Sequence, residues 1–228
     1  MSEMFTFSDT LSPHGGRFHV LLKDDAFWEV REREIQERRR QREESEALQA
    51  AQRRSRRLAE IPDIYRENFE EERCSLPAGL VDRVMAWRPE QSNGHGIGLV
   101  GSTGLGKTRL LVSLLISLPD RCSWLYLPAM RLSTAVADQW DDESRIVHRA
   151  RRLLEDARKV KVLLLDDLGD EKGTDAVGAE LKDLIEHRTS RRLPILWTSQ
   201  LNAAQLEAKH GERGKAIVRR LAEFSWMA

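Results

Sequence analysis

A glycine-rich motif at residues 101–108 constrains the fold of this chain more than any other part of the sequence. It follows the pattern G-x-x-x-x-G-K-[ST], which is typical of a loop that binds the phosphates of a nucleotide. Glycines let backbone N–H groups turn inward around phosphate oxygens. The lysine is placed to reach the β- and γ-phosphates, and the last hydroxyl to bind Mg²⁺. The predicted nucleotide-binding residues are Gly101, Ser102, Thr103, Gly104, Leu105, Gly106, Lys107 and Thr108.

The segments on either side of this motif predict a strand before it and a helix after it. Phosphate binding at a helix N-terminus requires this arrangement. Three further apolar runs alternate with helical patterns, which indicates a parallel sheet covered by helices on both faces. The predicted fold class is therefore α/β, a three-layer P-loop NTPase core. Strands are predicted at 97–100, 123–127, 161–166 and 194–199, and helices at 77–87, 107–117, 144–158, 173–189 and 212–224.

Charge and cysteine content argue against several classes of protein. The 37 basic and 37 acidic residues give a formal net charge of zero, so no global field favours nucleic acid or a membrane. Cys74 and Cys122 are far apart and lack metal-ligand spacing, so neither a zinc site nor a disulfide framework is expected. No secretory signal follows Met1, and no apolar run reaches the ~20 residues that span a bilayer. We expect a soluble, cytoplasmic protein.

Composition divides the chain into three segments. Residues 1–23 are mixed and are predicted to be irregular. Residues 24–60 are dense in charge, with ten arginines and eight glutamates between Glu29 and Glu60, and they favour a solvated helical extension. Arginine clusters there could also meet phosphates or an acidic partner. Ile61-Pro62 interrupts the helical pattern, and residues 61–228 are predicted to form the ATPase domain.

Two adjacent aspartates, Asp166 and Asp167, follow the predicted strand at 161–166. The strand is apolar, so its carboxyl end should place Asp166 beside the phosphate loop. There Asp166 and Thr108 are the predicted Mg²⁺ ligands. Asp167 is a candidate general base that polarises the attacking water. A strand end followed by a turn is the structural alternative for this pair.

Polar residues also end the strand at 194–199, and two arginines lie on the last predicted helix. A polar side chain at that strand end can sit between the γ-phosphate and the water, with Ser199 or Gln200 as candidates. Arg219 and Arg220 cannot easily reach their own nucleotide. Across a subunit interface, an arginine there could stabilise transition-state charge as an arginine finger. Simple strand termination and a solvated basic helix face are the alternatives.

The order of these motifs resembles the DnaC/IstB branch of the AAA+ ATPases over roughly residues 61–226. The Asp-Asp-Leu-Gly form is fairly specific to this branch, because most AAA+ members place Glu after the first Asp. The helix at 181–188 and the stretch at 61–69 also look similar. The matching motifs are Gly101–Thr108, Leu163–Gly169, Thr198–Gln200 and Arg219–Leu221.

The resemblance implies an AAA+ ATPase with ATP and Mg²⁺ as cofactors, slow hydrolysis and no C-terminal lid domain. Asp167, Gln200 and Arg220 would be the catalytic residues, since alignment favours Arg220 over Arg219 as the finger. Family members usually have Thr-Ser-Asn where this chain has Gln200, which keeps the amide and adds a methylene. The implied role is that of a DNA helicase loader in replication. Its partners would be a replicative helicase, single-stranded DNA and further copies of the chain.

Other functions remain open from the sequence. An IstB-like transposition helper shares the ATPase core and would act with a transposase. A small-molecule phosphotransferase would need an acceptor pocket and an arginine-rich mobile lid. No segment clearly matches such a lid, although residues 139–152 contain Arg145, Arg149, Arg151 and Arg152. A scaffold that binds nucleotide without hydrolysing it is compatible with the glutamine at position 200.

Overall fold

The computed structural model describes residues 25–66 and 75–227, without the side chains of residues 25–27. The predicted irregular segment 1–23, Phe69 and Cys74 lie outside the described residues. The chain forms two compact units, one ending at Ala51 and the other beginning at Gln52. The predicted division into residues 24–60 and 61–228 stays a prediction.

The charged segment forms one long helix, α1 (Asp25–Ala59). As far as Ala51 its described side chains are exposed or half-buried, and they pair along the helix surface. Each such exposed pair stabilises a helix by about 0.2–0.5 kcal/mol, so the high charge density favours this conformation. The pairs are Arg31–Glu34, Glu29–Arg33, Arg40–Glu44 and Arg42–Glu46, at 2.9 to 3.4 Å.

The last turns of α1 belong to the second unit. There Arg54 donates to the backbone carbonyl of Ile116 at 2.6 Å and forms an ion pair with Asp120. The guanidinium of Arg57 lies 6.0 Å from the centre of the Trp124 ring. Two arginines of the predicted phosphate-binding cluster are therefore engaged within the fold.

The rest of the second unit alternates strands and helices. None of the helices within the described ranges combines the length and apolar character needed to cross a bilayer. The elements are α2 (Asp63–Arg66), α3 (Ala78–Ala86), β1 (Gly96–Val100), α4 (Lys107–Ser117), β2 (Trp124–Pro128), α5 (Ala129–Asp138), α6 (Ser144–Lys159), β3 (Val162–Asp166), α7 (Asp175–Ser190), β4 (Ile195–Ser199), α8 (Ala203–Lys209), a 3₁₀ turn (Gly211–Arg213), α9 (Gly214–Glu223) and β5 (Ser225–Met227).

The strands form one parallel sheet in the order β2-β3-β4-β1-β5. The four predicted strands and five predicted helices are all present; α4 has the predicted bounds, and the bounds of the others differ by one or two residues. Helices α2, α5 and α8 and strand β5 were not predicted. β5 has only three residues, which is too short to show a hydrophobic period. It adds to the sheet by pairing Ser225 with Gly96 of β1.

Two hydrophobic cores cover the two faces of the sheet. Alternate residues of β3 enter different cores, with Leu163 and Leu165 on one side and Val162 and Leu164 on the other. Every residue of β3 is buried, as expected of a strand covered on both faces. The sheet is therefore the middle layer of three, as predicted.

A buried arginine ties the amino ends of two strands together. Arg188, at the end of α7, is fully buried, and burial lowers the pKa of its guanidinium. Nη1 donates to the carbonyls of Ala157 and Val160 at 2.7 and 3.0 Å, and Nη2 to those of Pro194 and Lys161 at 2.9 and 3.4 Å. These carbonyls lie in the segments that lead into β3 and β4. One side chain therefore supplies hydrogen bonds to buried backbone acceptors in both segments.

We predict that Arg188→Met lowers the free energy of unfolding by about 3 kcal/mol or more, because several buried carbonyls lose their donor. Urea denaturation followed by circular dichroism measures the loss. The matched control is Arg191→Met, an exposed position at the end of the same helix, which should change stability by less than about 0.5 kcal/mol. Equal effects of the two substitutions would contradict the anchoring role of Arg188.

Candidate functional site

The phosphate loop connects the carboxyl end of β1 to the amino end of α4. Gly104 and Gly106 have φ of 85° and 91°, a left-handed conformation that glycine adopts without strain. Gly106 directly precedes the first residue of α4. The loop therefore brings backbone N–H groups and the positive end of a helix dipole to one place, which suits an anion.

Lys107 lies across this loop. Its Nζ donates to the carbonyls of Gly101 and Ser102, both at 2.8 Å. Burial lowers the pKa of Lys107, while the nearby carboxylates of Asp167 and Asp166 act in the opposite direction. The ammonium is thus held inside the loop, where phosphate oxygens can replace the two carbonyls as acceptors.

Asp166 ends β3 as a buried carboxylate with three hydroxyl donors. Thr108 and Thr198 each donate to Oδ1 at 2.7 Å, and Tyr126 donates to Oδ2 at 2.9 Å. Burial raises the pKa of the Tyr126 phenol, and the adjacent Asp166 carboxylate raises it further, so the phenol remains a donor. A carboxylate and a threonine hydroxyl in direct contact offer the hard oxygen ligands that Mg²⁺ prefers, so these two residues fit the predicted metal site.

Asp167 turns away from the strand into the neighbouring pocket. Its φ of 52° is unusual for a residue other than glycine, and its backbone N–H donates to Thr198 Oγ1 at 2.8 Å. Burial raises the pKa of the Asp167 carboxyl, and repulsion from Asp166 and Asp170 adds to this. The positive charge of Lys107 and a hydrogen bond from Gln200 act in the opposite direction. A carboxylate with this environment is a better proton acceptor than an ordinary aspartate.

Gln200 follows β4 and faces the phosphate loop. Its Oε1 accepts a hydrogen bond of 2.6 Å from Thr103 Oγ1. The side chain of its neighbour Ser199 is buried and donates instead to the carbonyl of Leu168 at 2.5 Å. Of the two candidates at this strand end, only Gln200 lines the pocket.

The pocket itself has a volume of about 260 Å³ and lies at the carboxyl edge of the sheet. The lining includes two residues that sequence reasoning did not select, Tyr65 in α2 and Arg109 in α4. Arg109 has a buried Nη1 without a hydrogen-bond partner among the described residues. Tyr65 reaches the pocket through tertiary packing, whereas Arg109 directly follows the motif in the chain but is not one of its defined positions. The lining residues are Tyr65, Thr103, Gly104, Gly106, Lys107, Thr108, Arg109, Asp167 and Gln200.

A second buried pair fixes the turn after Asp167. The backbone N–H of Gly169 donates to Glu171 Oε2 at 2.8 Å, and the other carboxylate oxygen lies 3.3 Å from His210 Nε2. Both side chains are almost completely buried, and burial lowers the pKa of His210. Sequence reasoning missed this pair because Glu171 and His210 are distant in the chain.

Arg220 is far from this pocket within the chain. It lies near the end of α9, and the next residues include Phe224, whose carbonyl accepts from Gly96 at the start of β1. A five-residue strand separates the two edges of the sheet by about 16 Å. The half-exposed Arg220 side chain pairs with Glu223 at 3.4 Å. The structure therefore brings together the predicted residues of the loop, Asp166, Asp167 and Gln200, but not Arg220.

Solved structures with similar folds include proteins of DNA replication. The crystal structure of DnaI is 24% identical over 74% of this chain and 93% of DnaI, with a TM-score of 0.58. A candidate primosome component from Streptococcus pyogenes serotype M3 is 22% identical over 74% and 88%, with a TM-score of 0.56. The replication initiator DnaA, bound to AMPPCP and single-stranded DNA, is 19% identical over 68% and 48%, with a TM-score of 0.55.

At these levels of sequence identity, the similarity shows a shared fold and nothing more specific. Neither the protein-family models nor the curated proteins contain a match to the chain. The chain shares with these proteins an α/β fold built on a five-stranded parallel sheet, so the predicted α/β fold class is confirmed, and the resemblance is confirmed at the level of fold. The loop, the ammonium of Lys107 and the carboxylate–hydroxyl pair make the site suited to a nucleotide and a divalent cation.

Proposed function

We propose that this chain binds ATP with Mg²⁺, hydrolyses it slowly, and acts as a loader of a replicative DNA helicase. The observation that carries the ATPase part is the meeting of Lys107, Thr108, Asp166, Asp167 and Gln200 at one edge of the sheet. When bound, ATP and Mg²⁺ supply the reactive phosphoanhydride and a charge that neutralises the phosphate oxygens.

Different residues of the chain would take different roles in hydrolysis. Backbone N–H groups of residues 101–106 and the Lys107 ammonium hold the phosphates. Thr108 and Asp166 hold the metal, and the Tyr126 and Thr198 hydroxyls keep the carboxylate oriented. Asp167 accepts a proton from the attacking water, and Gln200 positions that water.

The loader role rests on the motif series and on the fold. Asp-Asp-Leu-Gly at 166–169 and the paired arginines at 219–220 resemble the DnaC/IstB branch. Similar folds occur in DnaI, in a primosome component and in a replication initiator. In a loader, the purpose of ATP hydrolysis is to switch an assembly between two states and not to supply ADP or phosphate. Such a purpose is compatible with a slow rate.

The exposed face of α6 supports contact with single-stranded DNA. Arg145, Arg149, Arg151 and Arg152 are exposed, and none forms an ion pair with a described residue. Trp140, in the turn that leads into α6, is 85% exposed. Unpaired arginines can neutralise phosphates while an exposed indole stacks on a base, the combination that proteins use to bind single strands.

Arg220 supports a homo-oligomer. Within one chain it lies at the opposite edge of the sheet from the pocket, so it can reach a nucleotide only across a subunit interface. There the guanidinium would stabilise charge on the transferred phosphate.

The ATPase assignment is tested with Lys107→Ala and Asp166→Ala. We expect each to lower ATP hydrolysis by at least about 100-fold, since each removes a charge that holds the phosphates or the metal. Phosphate release under saturating Mg²⁺ measures the rate. Lys182→Ala and Asp82→Ala, two surface positions away from the pocket, should hydrolyse ATP like the wild type. Full activity in either site variant would refute the assignment.

The arginine-finger assignment is tested by mixing two inactive proteins. Arg220→Ala keeps an intact pocket, and Lys107→Ala keeps an intact finger, so a mixture should regain part of the wild-type ATPase activity. The control mixture combines Arg220→Ala with the Lys107→Ala/Arg220→Ala double variant. Neither protein in it carries the arginine finger, so this mixture should stay inactive. Equal rates in the two mixtures would argue against a finger supplied in trans.

The DNA surface is tested by fluorescence anisotropy with a labelled single strand at several salt concentrations. Arg149→Ala should weaken binding and reduce the slope of log K against log[salt] by about 0.7, because one phosphate contact is lost. Trp140→Ala should weaken binding by about 1–3 kcal/mol with little change in slope. Arg191→Ala is the control. Wild-type affinity in both α6-region variants would contradict this surface.

The partner is tested by purification of the tagged chain from its native host, with and without ATP. We expect a hexameric replicative helicase to co-purify in stoichiometric amounts. Recovery of a transposase in its place would favour the transposition-helper function and refute the loader role.

A further inference from the structure

Thr103 and Gln200 join two parts of the site that the ATPase motifs leave separate. Thr103 is the third residue of the phosphate loop, and Gln200 follows β4. The hydrogen bond from Thr103 Oγ1 to Gln200 Oε1 is 2.6 Å long and connects residues 97 positions apart. Both side chains are exposed to the same pocket, beside Lys107 and Asp167.

The sheet register brings this pair together. β1 and β4 are neighbours, with Val100 opposite Ser199, and the N–H of Gly101 donates to the carbonyl of Ser199 at 3.1 Å. Gln200 therefore begins beside the first residue of the loop, while Thr103 lies two residues further along it. An asparagine at position 200 would be one methylene shorter, about 1.5 Å, and could not keep a hydrogen bond of this length.

The hydrogen bond also determines which end of the amide faces the pocket. Because Oε1 accepts from Thr103, Nε2 is left as the donor of the amide, and a hydrogen bond from Gln200 opposes the raised pKa of the Asp167 carboxyl. An unrestrained glutamine has three rotatable side-chain bonds and would spend little time in this orientation. An exposed hydrogen bond adds little to stability, so its main effect here is on geometry.

We propose that Thr103 is a positioning residue whose hydroxyl holds the Gln200 amide toward the reacting side of the pocket. This inference rests on the proposed ATPase function. It assigns to the third loop residue a role in the rate of hydrolysis that is separate from phosphate binding.

The first test compares Thr103→Val, which keeps the shape and removes the hydroxyl, with Thr103→Ser, which keeps the hydroxyl. We expect Thr103→Val to lower kcat about 5-fold or more, with less than a 2-fold change in KM for ATP and in Kd for ADP. Thr103→Ser should restore kcat. Thr134→Val, on the exposed surface of α5, is the matched control and should behave like the wild type.

The second test measures coupling. In a Gln200→Asn background the amide cannot reach Thr103, so adding Thr103→Val should lower kcat no further. Multiplicative losses in the double variant would show that the two residues act independently and would overturn the inference.

The third test needs no nucleotide. The side-chain NH₂ signals of Gln200 in an ¹⁵N-labelled sample are assigned by their loss in Gln200→Asn. They should shift in Thr103→Val and stay in place in Thr103→Ser and Thr134→Val. Unmoved signals in Thr103→Val, or equal losses of kcat and nucleotide affinity, would overturn the positioning role.

The outcomes separate this inference from the proposed function. If Lys107→Ala abolishes hydrolysis while Thr103→Val keeps the wild-type kcat, the site is an ATPase and the inference is wrong. If the wild type does not hydrolyse ATP, the proposed function fails. The NMR comparison then still decides whether Thr103 holds Gln200.

Discussion

The buried carboxylate of Asp166 is the point on which both the fold and the candidate site depend. An unpaired carboxylate in a protein interior costs several kcal/mol, so it needs donors. Its donors come from three elements, since Thr108 lies in α4, Tyr126 in β2 and Thr198 in β4. They reach one carboxylate only when β2, β3 and β4 pair in the observed register. The interaction that satisfies this charge thus also aligns the edge of the sheet where the pocket forms.

The same network explains how the site could take up a metal with little rearrangement. The Thr108 hydroxyl and Asp166 are in direct contact, and in the proposed site these two residues would hold the divalent cation. Thr198 and Tyr126 would continue to hold the carboxylate. Thr198 also accepts from the backbone of Asp167, so its hydroxyl sets the direction of both acids. In the proposed site, Thr198 and Tyr126 would thereby orient the residues that hold the metal.

Local patterns in the sequence were sufficient for the phosphate loop, the four longer strands and the aspartate pair. Each of these is encoded by consecutive residues, by glycine spacing or by an apolar run that ends in acid. The hydroxyl donors Tyr126 and Thr198, the buried Arg188 and the Glu171–His210 pair have no such local pattern. Apart from Pro194, which is six positions from Arg188, their partners are 27 to 40 positions away, so they become visible only when the chain is folded. The three-residue β5 was missed for the complementary reason, because it is too short to carry a period.

The positions of Gln200 and Arg220 give the site an asymmetry with consequences for regulation. Gln200 is held by the phosphate loop itself, so its geometry responds to events in its own pocket. Arg220 lies at the other edge of the sheet, and a side chain cannot cross the roughly 16 Å between the two edges. In the proposed ATPase, Gln200 would therefore position the water within a single chain, whereas Arg220 would not reach the phosphate bound by its own chain. If Arg220 contributes to the rate, hydrolysis must depend on assembly. Slow hydrolysis by an isolated chain is then the expected behaviour of a switch, and it need not result from the length of the Gln200 side chain.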